Sequence, residues 1–178
     1  MKKIKAVALL GAASLLVIAG CKTIPTTDKM QSAASAIGVA AGLVANETKI
    51  DDNTRNTIVA IMNEVSRVVP KSGQSFEEAW TPVAKEVVEK LIADGKITQE
   101  VGTLSLSVFG IAIKGIDYLF TVRYPKARQY EELVSAAITG FTEGFLTVFK
   151  PVNNEDTKGK NLKVDKAAYI WLKEHTKK

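Results

Sequence analysis

Apolar residues along most of the chain recur at intervals of three and four, the spacing that gives a helix one buried face. Breaks in this pattern divide the chain after residue 27 into five long segments and a short one. We therefore predict an all-α protein, a single helical bundle of five main helices and a short C-terminal helix. The predicted helices cover residues 28–45, 53–69, 76–93, 98–124, 125–150 and 165–175.

The fourth segment contains a short stretch that also has the period of a strand, Leu104-Ser105-Leu106-Ser107-Val108. The apolar segment around it is long, Thr98 can cap a helix before it, and the chain offers no partner strand. These features favour a long helix that is buried on most sides.

Capping residues and prolines set the predicted boundaries. Asp51 or Asp52 can cap the second helix. Ser75 and Glu78 have the spacing of a capping box at the start of the third helix. Each cap fixes where its helix begins.

Two prolines are expected to shape the helices that contain them. Pro82 removes one hydrogen bond inside the third helix, so we expect a kink there or a separate leading turn over 76–80. Pro125 suits a first helical turn, and it is expected to open the fifth helix.

Small residues form a ridge on the first helix and a matching ridge on the fifth. Each ridge repeats every four residues, and such a ridge lets another helix backbone approach closely. We therefore expect the two helices to pack against each other, or against the fourth helix, at a short axial distance. The ridges are Ala34, Gly38 and Gly42, and Ala136, Gly140 and Gly144.

The first twenty residues have the pattern of a secretory signal peptide. Lys2, Lys3 and Lys5 precede an uncharged apolar run over 6–19, and small residues follow. This run is shorter than the roughly 20 residues of a membrane-spanning helix, and polar residues come directly after it. An exported chain with a cleaved leader is the prediction.

The end of this leader, Ile18-Ala19-Gly20-Cys21, resembles the lipobox of bacterial lipoproteins, and Cys21 is the only cysteine of the chain. The resemblance covers residues 1–21. It implies that Cys21 carries a diacylglyceryl group on sulfur, becomes the new N-terminus and receives a further acyl chain such as palmitate. The aspartate that favours inner-membrane retention is replaced by Lys22, so we expect the outer membrane of a Gram-negative host, with the protein facing the periplasm or the outside.

The expected organisation follows from these features: a signal peptide over 1–20, a lipidated tether over 21–27, a bundle over 28–151, and a polar linker with a short basic helix over 152–178. Without the leader the net charge falls from +5 to +2. The remaining excess lies in the C-terminal region, where lysines around Trp171 suggest contact with anionic headgroups. A nucleic-acid partner is not expected in the envelope.

The residue types available limit the chemistry. His175 is the only histidine and stands near the C-terminus, Cys21 is assigned to lipid, and no glycine-rich phosphate loop is present. The adjacent acidic pairs begin helices and point apart. We therefore predict no catalytic residue, no metal site and no cofactor.

Three charged residues interrupt apolar helices: Lys114, Asp117 and Glu143. Lys114 and Asp117 are three apart, so they can form an ion pair on one helix face. Alternatively, the three residues line a groove or a pore. An enzyme, the third hypothesis, would need a deep cleft lined by Glu143, Asp117 and Arg123.

We therefore expect a non-enzymatic lipoprotein that presents a helical surface to a protein partner of the envelope, which the sequence does not identify. A homo-oligomer through a small-residue seam is a further option. The alternative function is a membrane-active, exclusion or immunity lipoprotein that blocks or remodels an envelope channel through the apolar fourth and fifth helices.

Overall fold

The computed structural model describes residues 24–47, 50–149 and 163–176, and the regular elements in these ranges are all helical. The α-helices pack around one shared apolar core, so the predicted all-α bundle of five main helices and a short C-terminal one is confirmed. In chain order the elements are α1 (Thr27–Asn46), α2 (Asp52–Val65), α3 (Phe76–Ala93), α4 (Gln99–Tyr118), a π-helical turn (Leu119–Arg123), a 3-10 helix (Pro125–Gln129), α5 (Glu131–Phe149) and α6 (Lys166–Thr176).

Helices α1 and α5 lie side by side with their backbones in contact. A Cβ atom on Gly140 would lie within 3.0 Å of the backbone of Gln31, and one on Gly144 would meet the backbone of Ser35 in the same way. These contacts advance in the same direction along both helices. The two helices are therefore parallel, and both begin at the same end of the bundle.

The start of α3 is fixed by aromatic contacts. The rings of Phe76 and Phe120 stack with centroids 5.5 Å apart, and Trp80 meets Phe76 edge-on at 5.0 Å. The indole Nε1 of Trp80 donates a hydrogen bond of 2.9 Å to the carbonyl oxygen of Val68. The loop after α2, the start of α3 and the π-helical turn are thus held together.

The course of the helices gives the bundle two ends. Helices α3 and α4 are antiparallel, because Gly102 near the start of α4 contacts Ile92 near the end of α3. We call the end that contains the first turns of α1, α3 and α5, the loop 66–75 and the segment 119–130 the proximal end. The opposite, distal end contains the last turn of α3 and the first turn of α4.

Helix α2 begins at its predicted cap, since the side chain of Asp51 accepts a hydrogen bond from the backbone N–H of Thr54. It ends at Val65, four residues before the predicted end at Val69. The reason is Trp80, whose indole N–H donates a hydrogen bond to the carbonyl oxygen of Val68 and so holds this segment out of the helix.

Helix α3 begins with the predicted capping box of Ser75 and Glu78 and runs without a break through Pro82. The expected separate turn over 76–80 is therefore wrong. Pro82 and Glu78 are both exposed. Because the carbonyl group that Pro82 leaves unpaired belongs to residue 78, it can bind water, and the helix tolerates the proline.

The prediction that Pro125 opens the fifth helix is also wrong. Pro125 opens the 3-10 helix, and Tyr130 then adopts extended angles, φ −109° and ψ 109°, before α5 begins at Glu131. The fourth helix keeps its predicted length only through the π-helical turn, in which the N–H of Tyr124 bonds to the carbonyl oxygen of Leu119 at 2.7 Å.

Helix α6 belongs to the bundle. Its side chains Ala168 and Leu172 are fully buried, and the backbone N–H of Asp165 donates to the carbonyl oxygen of Ala36 on α1 at 3.2 Å. The expected separate basic helix is thus packed against α1 and α4. Of the predicted polar linker, residues 152–163, all but Lys163 lie outside the described residues.

Candidate functional sites

The predicted lipidation site, Cys21, and the leader before it lie outside the described residues. The structure begins at Ile24, three residues after Cys21, and α1 begins at Thr27. The attachment point is therefore close in sequence to the proximal end.

The two small-residue ridges are buried between α1 and α5. Gly38 lies against the backbone of Phe141, and Gly42 lies against Val148. Because this contact is made within one chain, the seam is not a surface that a second copy could use. The six predicted residues, Ala34, Gly38, Gly42, Ala136, Gly140 and Gly144, are all buried.

The structure does not bring the predicted polar residues together. Lys114 donates a hydrogen bond of 2.7 Å from Nζ to the backbone oxygen of His175 on α6, and within the described ranges it forms no ion pair with Asp117. Glu143 is exposed on α5. The expected Lys114–Asp117 pair is wrong because α6 docks on α4 and offers Lys114 another acceptor.

Asp117 instead faces the proximal end. Burial raises the pKa of its carboxyl group, the negative charge of Glu77 adds to the rise, and the positive charge of Arg128 opposes it. Next to it, burial raises the pKa of Tyr118, whose ring lies 5.1 Å from that of Trp171. These shifts come from the packing of α4 against its neighbours.

His175 lies in the last turn of α6. Its ring stacks on Trp171 at 4.0 Å, and Nδ1 lies 2.8 Å from the backbone oxygen of Trp171. Lys173 on the same helix forms a salt bridge of 3.1 Å with Glu47 of α1. Trp171 and Lys173, two of the residues that suggested a membrane contact, thus take part in docking α6.

A cleft of about 690 Å³ lies at the proximal end, between the loop 69–74 and the segment 125–134. Arg128 joins its walls, because the guanidinium group donates a hydrogen bond of 2.7 Å to the carbonyl oxygen of Gln74 and lies over the ring of Phe76. Lys71 and Lys126 are exposed at its edges. No local pattern in the sequence indicates this cleft, because residues such as Gln74 and Arg128 are 54 positions apart and meet only through the fold.

A second, open groove of about 790 Å³ runs between α2 and α3. Half-buried apolar side chains form its floor, and charged residues of both signs surround them. The floor is Val83, Val87 and Leu91, and the rim includes Glu64, Arg67, Glu86, Lys90, Asp94 and Lys96. Asp117, Arg123 and Glu143, the residues of the enzyme hypothesis, line neither this groove nor the proximal cleft.

Two segments, Gln99–Arg123 and Glu131–Phe149, are long and apolar enough to cross a membrane by length and composition. In the bundle, 56% and 67% of their most apolar windows are buried, as is usual for the core helices of a soluble domain. In the part of the chain that the structure describes, no three His, Cys, Asp or Glu residues are grouped so that they could hold a metal ion.

Comparisons with protein-family models, with curated proteins and with solved structures give no match to this chain.

Proposed function

We propose that this chain is a lipid-anchored protein of the bacterial cell envelope whose bundle acts as a non-enzymatic protein-binding or structural module. The observation that carries the proposal is the position of Cys21, the only cysteine, at the end of a secretory leader and six residues before α1. Two or three acyl chains on Cys21 would make detachment from a bilayer negligible. The short tether would then keep the bundle at the membrane surface, and Lys22 favours the outer membrane.

The anchor is tested by replacing its sulfur. In the Cys21→Ser variant of the full chain, we expect the protein to lose its fatty-acid label and to keep its leader. We also expect it to lose the part of its retention in the membrane fraction that depends on the attached lipid. The matched control is Ser72→Cys, which adds a thiol in an exposed loop and leaves Cys21 intact. If Cys21→Ser matured to the same size with the same label, the proposal would be wrong.

The α2–α3 groove supports a binding role for the bundle. A floor of apolar side chains with a charged rim is typical of surfaces that accept a helical segment of another protein. We propose that a protein of the same envelope compartment is the partner. A photocrosslinking residue placed either at Lys90 on the rim or at Thr139, which is exposed on α5, tests this in cells. A defined crosslink is expected only at position 90.

The same experiment needs a variant that changes only the groove. Val87 is half-buried in its floor, so Val87→Asp should abolish the crosslink from position 90 while the fold is retained. A crosslink of equal yield at positions 90 and 139, or one that persists in Val87→Asp, would contradict binding in this groove.

A membrane-active or exclusion lipoprotein is the second candidate. It is favoured by the two segments that are apolar enough to span a bilayer. Their burial in the bundle means that insertion would first have to expose the core.

A further inference from the structure

The exposed large apolar side chains are concentrated at the proximal end. In the described part of the chain they are Ile24, Val69, Leu104, Val122 and Ile170. Val69 lies in the loop after α2 and Val122 in the π-helical turn, with exposed fractions of 40% and 53%. Ile24 precedes α1 at the same end. Three of the five therefore share one end, whereas Leu104 and Ile170 lie on α4 and α6.

The charges of this end are balanced. Its two loop segments carry five cations and no acid, and the helices that follow them begin with four acids. Because the sum is near zero, the apolar side chains and not a net charge distinguish the surface. The cations are Arg67, Lys71, Arg123, Lys126 and Arg128, and the acids are Glu77, Glu78, Glu131 and Glu132.

Covalent geometry places the anchor beside this surface. Consecutive Cα atoms are about 3.8 Å apart, so Cys21 lies within about 11 Å of Ile24 in any conformation of the chain between them. The distal end is farther away, since α4 runs from it to the proximal end and a helix of 20 residues is about 30 Å long. A lipid on Cys21 therefore keeps the proximal end near the membrane.

We infer that the proximal end docks on the lipid headgroups, with Val69 and Val122 in contact with the bilayer interface. This inference rests on the lipidation of Cys21 in the proposed function. A tether this short gives the surface a high effective concentration at the bilayer, so a contact that is too weak to bind a free protein is sufficient. The bundle then stands on the membrane, and the α2–α3 groove along its side stays open to a partner.

The orientation is measured with the lipidated full chain in vesicles. Since lipid occupies the sulfur of Cys21, an introduced cysteine is the only free thiol. We label Ser72→Cys at the proximal end and Gln99→Cys at the distal end, both exposed, with the same environment-sensitive fluorophore. The vesicles are phosphatidylcholine with a headgroup spin label. Quenching is expected to be severalfold stronger at position 72, and equal quenching at the two positions would overturn the inference.

A second comparison separates docking from proximity. Val69→Ser with Val122→Ser should lower the quenching at position 72 severalfold, because the interface contact is lost while the tether remains. Leu104→Ser is the control and should change nothing, since this exposed side chain lies near the start of α4, at the distal end. If this control and the double variant gave the same quenching, the apolar contact would be disproved. Adding anionic lipid should have little effect, because the charges of this end are balanced.

Failure of the inference is distinguishable from failure of the proposed function. The chain without an introduced cysteine is reacted with the same thiol reagent before reconstitution. Labelling of this chain would show that Cys21 is free and would contradict the lipid anchor itself. An unreactive Cys21 together with equal quenching at positions 72 and 99 would contradict only the docking of the proximal end.

Discussion

At the level of single residues, the contact between α1 and α5 depends on glycines, which have no side chain. A Cβ atom on Gly144 would meet the backbone of Ser35, which cannot move away as a flexible side chain could. We expect Gly144→Ala to force the helices apart and to lower the free energy of unfolding by about 1–3 kcal/mol, the usual cost of overpacking. Urea denaturation of the bundle measures this change.

The matched control for this prediction is Gly110→Ala. Gly110 also lies inside a helix, but a Cβ atom there would have nothing within 4 Å. Alanine is a better helix former than glycine, so this variant should be more stable by up to about 1 kcal/mol. The explanation would be wrong if both alanine variants changed the stability in the same direction.

A buried hydroxyl group on α5, that of Thr142, is a second feature in which one atom is expected to change the stability of the bundle. The Oγ1 atom of Thr142 is buried and has no hydrogen-bond partner among the described residues. Because valine has the same shape without the polar atom, we expect Thr142→Val to raise the free energy of unfolding by about 1 kcal/mol. Thr147→Val is the control, since its Oγ1 donates to the carbonyl oxygen of Glu143 in an exposed site. Thermal unfolding should show stabilisation only at position 142.

At the level of a single element, the stability of the start of α3 is expected to depend on pH. The backbone N–H of Ser75 bonds to the carboxylate of Glu78 and is the main cause that holds the pKa of this group below its ordinary value; the Ser75 hydroxyl adds to the effect. A pKa that is lowered in the folded state gives stability that is present above the ordinary pKa and is lost as the pH falls through the lowered value.

We therefore expect Ser75→Ala to cost about 1 kcal/mol near neutral pH, as is usual for the loss of a helix cap. The difference from the parent chain should become smaller in acid, where protonated Glu78 no longer accepts a charge-assisted hydrogen bond from the Ser75 hydroxyl group, the bond that alanine removes. Thr98→Ala at the start of α4 is the control, because the residue three positions after this cap is Val101, which has no carboxylate. Urea midpoints at neutral and acidic pH measure both variants. A Ser75→Ala deficit that stayed constant with pH would contradict the contribution of the hydrogen bond from the Ser75 hydroxyl group to Glu78.

Helix α6 offers a test of docking at the same scale. Leu172 is fully buried against the bundle, whereas Ile170 on the same helix is 57% exposed. We expect Leu172→Ala to release α6 and to speed amide hydrogen exchange in residues 166–176 and at its contacts on α1. Ile170→Ala should leave the exchange unchanged. Slow exchange throughout α6 in Leu172→Ala would show that other contacts hold the helix.

Local sequence signals predicted the elements whose boundaries are set locally. The caps at Asp51, Ser75 and Thr98 are within three residues of their partners, so spacing alone was sufficient. The end of α2 and the start of α5 were predicted wrongly, because contacts distant in sequence set them. Trp80 takes a carbonyl group from the loop after α2, and Arg128 binds the loop that precedes α3.

The same reason explains the polar candidates. Lys114 and Asp117 have the spacing of a pair on one helix, but the acceptor for Lys114 comes from His175, 61 residues away. The proximal cleft likewise joins two distant segments. The small-residue ridges could be recognised because each one repeats along a single helix. Since the two ridges are alike, the packing of α1 against α5 was one of the two arrangements that they indicated.

At the scale of the whole molecule, the question is whether the apolar helices stay in the bundle at a bilayer. Insertion of α4 would carry Lys114 and Asp117 to bilayer depth at about 2.5–3.5 kcal/mol each. It would also break the bond from Lys114 to His175 and expose the residues that α4 and α5 bury. These costs add up, and the folded bundle offers no contact with the bilayer core that would offset them. The folded module should therefore stay outside the bilayer core.

We therefore expect the chain over residues 22–178, which lacks Cys21, to be monodisperse in water without detergent and to remain in the aqueous phase when liposomes are floated. The valines of the proximal end should not hold it, since without the anchor their contact is no longer tethered. The lipidated chain, as control, should float with the vesicles. Partition of residues 22–178 into liposomes, with loss of the slow amide exchange expected for the buried parts of α4 and α5, would instead favour the membrane-active lipoprotein, because only an opened bundle could supply the apolar surface for insertion.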